Sequence, residues 1–128
     1  MPPEVLAAMA DAASSYVDMH ELHAAAGRRL AQLTGNEAAH VTAGCAAAIV
    51  LSVLACATRG DPAASAQGTE VVVHAAHRIP YDPAITLAGA RIVQVGNVLQ
   101  TFPWELEAAF TDRTVAVFYV AGDRKSVV

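Results

Sequence analysis

The sequence predicts an α/β fold, a mostly parallel sheet with helices on both faces. Short β-branched runs recur along the second half of the chain, EVVVH, RIVQV and TVAVFYV, each bounded by Gly, Pro or Asp. The segments between them carry helix-start signals and are short, as crossover connections between parallel strands are. The third observation is the stretch Ala38 to Ala57, AAHVTAGCAAAIVLSVLACA, which reads as strand, tight turn and buried helix.

Pro2, Pro3 and Glu4 lead straight into Val5, Leu6 and Met9 at helical spacing, so a helix starts close to the first residue. Asp18 is a good N-cap with Glu21 placed as in a capping box, and Met19, Leu22, Ala26, Leu30 and Leu33 follow on one face. That helix should end at Thr34 and Gly35. Gly27 inside it costs about 1 kcal/mol relative to alanine, which points to close packing more often than to ligand contact. Beyond the Ala38 to Ala57 stretch, Asp61 and Pro62 mark a turn, and Thr69 to His74 is a fully buried strand. His77, Arg78 and Tyr81 occupy the loop after it. Asp82 and Pro83 start a short helix that runs to Leu87 or Ala88 and breaks at Gly89. Arg91 to Val95 is a strand, Gly96 to Thr101 a loop, and Pro103 to Phe110 a helix with Glu105 and Glu107 near its positive end. Thr114 to Val120 is the last strand, Ala121 to Asp123 a turn, and Arg124, Lys125 and Ser126 a polar tail.

At 128 residues the chain allows one modest domain, and 55% apolar with 16% charged residues is more apolar than a small free-standing domain needs. Part of that surface is expected to meet a partner copy or further chain, so a homo-oligomer is expected. The net charge of −4 and the scatter of the basic residues argue against nucleic acid. Cys45 and Cys56 lie eleven positions apart on one predicted helix, too far to bridge within it, which fits reduced thiols in the cytoplasm. The apolar run is too short and too interrupted to span a membrane.

The turn VTAGCA at Val41 to Ala46 is the main candidate for chemistry. It lacks the glycine spacing and the lysine of a Walker loop. Thr42, Gly44 and Cys45 could instead cup a phosphate through backbone N–H groups at a helix N-terminus, with the Thr42 hydroxyl as a further donor. A plain structural turn is the alternative. Cys45 is either a thiol activated by the helix end or, more ordinarily, a small buried residue. His77 and Arg78 put a flat ring and a guanidinium at a predicted strand end, suited to a planar cofactor and to a carboxylate or phosphate; a solvated loop is the alternative. His20, Glu21 and His23 do not have zinc-site spacing and read as a solvated helix face.

With these residues in place the chain resembles the SelA-like family of pyridoxal-phosphate enzymes. The matching blocks are YVDMHELHAAAGRRLAQLTGNEAAHVTAGCAAAI at Tyr16 to Ile49, EVVVHAAHRIPYDPAITLAGARIVQVG at Glu70 to Gly96, and FPWELEAAFTDRTVAVFYVAG at Phe102 to Gly122. The resemblance implies a fold-type-I large domain, a homo-oligomer with sites near subunit boundaries, and pyridoxal 5'-phosphate as cofactor. It implies that Thr42, Gly44 and Cys45 receive the cofactor phosphate and that His77 lies near the pyridine ring. Residues 1–128 would be a partial large domain, truncated at both ends relative to the family. The family's covalent lysine and pyridine carboxylate lie beyond the matched portion, and Lys125 is the only lysine. The expected function is therefore a fragment of a lyase or transferase acting on a small amino-acid-type substrate, inactive alone and with no catalytic residue assigned. The alternative is a non-catalytic structural or interaction module that keeps the fold.

Overall fold

A computed structural model describes residues 1–61 and 63–121; Pro62 and the turn and tail expected from Gly122 to Ser126 lie outside the described residues. The chain divides into two compact units, Met1–Thr42 and Ala43–Val128.

The first unit holds α1 (Pro3–Ala12) and α2 (Met19–Thr34). The Asp18 carboxylate accepts the N–H groups of His20 and Glu21 at 2.8 and 3.0 Å, satisfying two of the donors a helix start leaves over. Gly35 closes α2 in the left-handed conformation at φ 69°, and the Asn36 N–H returns to the Ala31 carbonyl. Gly27 packs: a Cβ there would collide with the carbonyl oxygen of Ala39. The expected apolar stripe of α2 is otherwise outward, with Met19, Leu22, Leu30 and Leu33 exposed and only Gly27 and Ala31 buried. The strand expected before the central turn does not form, since residues 38–42 are irregular. Ala38 and Ala39 have little β preference, and a strand exists only as part of a ladder, which this segment does not enter among the described residues.

The second unit contains α3 (Cys45–Thr58), β1 (Glu70–His74), α4 (Pro83–Leu87), β2 (Arg91–Val95), α5 (Pro103–Ala109) and β3 (Thr114–Phe118). The three strands form one parallel sheet in the order β2-β1-β3. Pairing with β2 is regular from Glu70↔Arg91 to His74↔Val95. Pairing with β3 slips between Glu70 and Val71, which face Thr114 and Ala116. Val71 and Val73 point into a core of Ile49, Val53, Ala84, Ile85 and Ala90. Val72, on the opposite face, is just as inaccessible, so both faces of β1 are covered. This is why β1 is an unbroken valine run instead of an alternating one.

The helix α3 differs from the buried cylinder its composition suggests. Only Ile49 and Val53 are buried, while Cys45, Leu51, Ser52 and Cys56 are exposed. One stripe of a uniformly apolar helix meets the core and the rest faces outward. Arg59 caps it in the left-handed region at φ 52°, a position usually given to glycine.

Candidate functional site

The carboxyl ends of the three strands bring together residues that lie far apart in sequence. His74 ends β1, and a single 3-10 turn (Ala75–His77) carries the chain to His77 and Arg78. Each histidine is tied to a different neighbouring strand end. The Nδ1 of His74 is 2.9 Å from the Thr101 hydroxyl, in the loop after β2. The Nδ1 of His77 accepts the Val120 N–H at 2.8 Å, just past β3. The two rings sit 5.5 Å apart, and Tyr119 approaches His77 edge-on at 6.4 Å.

The loop that holds Thr101 is itself fixed. In the loop after β2 the Asn97 carboxamide oxygen accepts the N–H groups of Leu99 and Gln100, and the Asn97 N–H donates to the Gln100 carbonyl. Gly96 sits at φ +68° so close to Thr101 that any side chain would collide with its hydroxyl. Arg78, a candidate anion contact from sequence, is engaged inside the fold: its Nε pairs with Asp82, and its Nη1 donates to the Gln94 side chain at 2.7 Å. The same Asp82 accepts the Ile79 N–H at 3.2 Å. These bonds clasp the segment after His77 to β2 and to the start of α4.

Gly44 is the N-cap of α3 at φ +148°, with open space where a Cβ would stand. The Gly44 carbonyl accepts the Ala48 N–H, so the helix geometry begins with Cys45. A helix start leaves its first N–H groups without partners inside the helix, and here the side chains around them, Cys45, Ala46 and Ala47, are small. Cys45 is exposed, which corrects the expectation of a buried thiol. An open apolar groove of about 560 Å³ continues from this end, lined by Ala46, Ala47, Val50, Tyr81, Ala84 and Leu87. Thr42 closes the first unit and is described with it, while Gly44, Cys45 and His77 all belong to the second, the first two at the start of α3 and the last beyond β1. His20, Glu21 and His23 form no metal cluster, and none of three or more ligating side chains occurs among the described residues. His23 instead meets the ring of His40 at 4.6 Å.

At the opposite end of β1 lies a group that the sequence did not single out. Glu70 is almost wholly inaccessible, and its carboxylate takes Arg91 at 2.6 Å, Arg113 at 2.7 Å and the Thr111 hydroxyl at 2.8 Å. Hydrogen bonds from Arg91 and then Thr111 hold this carboxyl below its ordinary range against the upward pull of burial, and the charges of Arg113 and Arg91 add to that effect. Thr101 and Val120 were equally unannounced, because their histidine partners are 27 and 43 residues away.

Comparison with known proteins agrees with this architecture. The family model described as L-seryl-tRNA selenium transferase, SelA, matches residues 11–125. The chain is 35% identical over 129 aligned positions to a D-glucosaminate-6-phosphate ammonia lyase of Salmonella typhimurium (strain 14028s / SGSC 2262), covering 92% of this chain and 35% of the relative. It is 38% identical over 135 positions to a 5'-C-glycyluridine monooxygenase-decarboxylase of Streptomyces sp, covering 96% and 34%. An L-seryl-tRNA(Sec) selenium transferase of Hyphomonas neptunium (strain ATCC 15444) is 33% identical over 111 positions, covering 79% and 23%. A solved structure of D-glucosaminate-6-phosphate ammonia-lyase superposes with a TM-score of 0.85 at 33% identity, covering 95% of this chain and 36% of that one. The chain spans about a third of the length of the first of these relatives. Blocks, fold and relatives agree: this chain belongs to the SelA family.

Proposed function

We propose that this chain is part of a pyridoxal-phosphate-dependent lyase or transferase acting on a small amino-acid-type substrate. The observation that carries the reading is the pair of fixed imidazoles, His74 and His77, at the carboxyl edge of a parallel sheet in a chain of this family. The names of the relatives support the substrate class, since each contains an amino-acid-type centre: glucosaminate, glycyl or seryl. Pyridoxal phosphate, when bound, supplies an electron sink for negative charge developing beside an amino group.

The residues present fit such a group. The N-terminal end of α3 offers backbone N–H donors and a positive dipole end to the phosphate, and Gly44 and Cys45 leave space for it. Thr42 joins them as a hydroxyl donor on its place in the sequence. His77 would lie near the pyridine ring, held in one orientation by the hydrogen bond from Val120. Lys125, the only lysine of these residues, is not assigned the covalent role. The exposed apolar residues Leu6, Met9, Met19, Leu22 and Leu33 support a homo-oligomer, the free thiols of Cys45 and Cys56 fit the cytoplasm, and the net charge of −4 disfavours a nucleic-acid substrate. No helix among the described residues is long and apolar enough to cross a membrane.

Titrating the purified chain with pyridoxal phosphate and following its absorbance tests the cofactor reading. The expected result is weak, reversible binding that borohydride does not fix, and that Gly44→Val weakens further. Absence of binding at millimolar cofactor would remove the phosphate cup and leave the non-catalytic module as the reading. A stoichiometric adduct mapped to Lys125 would overturn the expected inactivity. Sedimentation showing a monomer at high concentration would count against the oligomer.

A further inference from the structure

The two histidines at the carboxyl edge are held by partners of different chemistry. His74 meets a hydroxyl, which can donate or accept, so either neutral tautomer is satisfied. His77 meets a backbone N–H, which can only donate. Its Nδ1 therefore presents a lone pair, and the proton of the neutral ring sits on Nε2. Among the described residues this is the one hydrogen bond that the His77 ring makes. The ring is half-buried, flanked by His74 at 5.5 Å and Tyr119 at 6.4 Å. Arg78, the neighbouring cation, is already bonded to Asp82 and Gln94. Nε2–H of His77 is thus a donor whose identity is fixed by the backbone and which has no partner among the described residues.

We infer that His77 is a specificity-determining residue whose Nε2–H receives the carboxylate of the small amino-acid-type substrate, with the Val120 N–H as the group that positions it. The inference takes its substrate class from the function proposed above. A ring N–H gives one directed bond, and a carboxylate oxygen is a stronger acceptor for it than a neutral amide oxygen. The Val120 bond fixes which ring edge faces the ligand, so the preference for an acid over its amide is built into the backbone of the β3 end.

The test is nitrogen-15 NMR on the histidine-labelled full chain, without pyridoxal phosphate, with glycine and glycinamide as probes. The expected spectrum shows His77 protonated at Nε2 and not at Nδ1. Glycine should shift the Nε2 resonance, and glycinamide should leave it in place. In His77→Asn the Oδ1 replaces Nδ1 as acceptor for Val120 while the Nε2 donor is gone. Glycine affinity, followed at the Tyr119 and Val120 amides, should then fall about tenfold, with the Val120 amide otherwise near its original position. A proton on Nδ1, an equal response to glycinamide, or full glycine affinity in His77→Asn would each overturn the inference, the first two without needing a variant. Because the cofactor is left out, a failed cofactor titration with a positive glycine response strikes only the cofactor reading. Cofactor binding with no glycine response strikes only the role given to His77.

Discussion

Glu70 and His74 occupy the two ends of β1, the central strand, and the sheet treats those ends differently. At the amino end a buried carboxylate gathers Arg91 from β2 and Thr111 and Arg113 from the approach to β3. At the carboxyl end two imidazoles reach the same two neighbours, but through a hydroxyl and a backbone N–H, and they use only Nδ1. The first arrangement uses charge and leaves the carboxylate fully engaged. The second uses neutral groups and leaves polar atoms available. The difference separates a clamp from a receptor: both hold three strands together, and only one has bonding capacity left for a ligand.

The comparison can be broken most sharply at the clamp. Glu70→Ala should cause the largest loss of thermal stability in the set, because it leaves two guanidinium groups and a hydroxyl around an emptied buried position. Glu70→Gln, which keeps the shape and loses the charge, should fall between it and the parent. The same clamp sets an acid limit. Its folded-state pKa lies below the ordinary value of 4.5, so the unfolded chain binds the proton more readily. Its stabilising contribution is whole above that value and is lost as pH falls through the lower folded one. Melting midpoints measured from neutral pH downward should drop there, and Glu70→Gln should flatten the drop; parallel curves for the two proteins would refute the assignment.

At the receptor end the effects should be smaller and should concern order more than survival. Asp82→Ala, which frees Arg78 and the Ile79 N–H, is expected to cost about 1–3 kcal/mol by denaturant unfolding. Thr101→Val removes only the hydroxyl facing His74 and should cost about 1 kcal/mol, while broadening the His74 ring signals in NMR. His77→Asn should change the melting midpoint least of all, since the Val120 N–H keeps an acceptor. If it destabilised the chain as much as Glu70→Gln, the division between clamp and receptor would fail.

Sequence patterns exposed the parts of this fold that depend on neighbours along the chain. The Asp18 cap, the Gly35 stop, the Pro83 and Pro103 helix starts and all three valine- or isoleucine-bearing strands follow from local chemistry, and each appears where that chemistry puts it. What stayed hidden depends on residues brought together only by the sheet. Glu70 looks like a polar strand edge until Arg91 and Arg113 arrive from 21 and 43 positions away. The candidate site was legible in part: His77 was visible as a ring at a strand end, while Thr101 and Val120, which orient the two rings, carry no signature of their own. Ala38 to Val41 erred in the other direction, because an apolar run resembles a strand whether or not a ladder is available to it.

The slipped pairing beside Glu70 has a consequence for how this sheet tolerates change. Thr114 and Ala116 face consecutive residues of β1, so Val115 is a supernumerary residue in the ladder. It works as an expansion joint. Upstream of it the approach to β3 is bound to Glu70; downstream, Ala116 to Phe118 keep their own alignment with Val71 to Val73. Length or direction gained on one side need not propagate to the other, so the clamp can be rebuilt over generations while the edge that carries His77 and Val120 keeps its alignment.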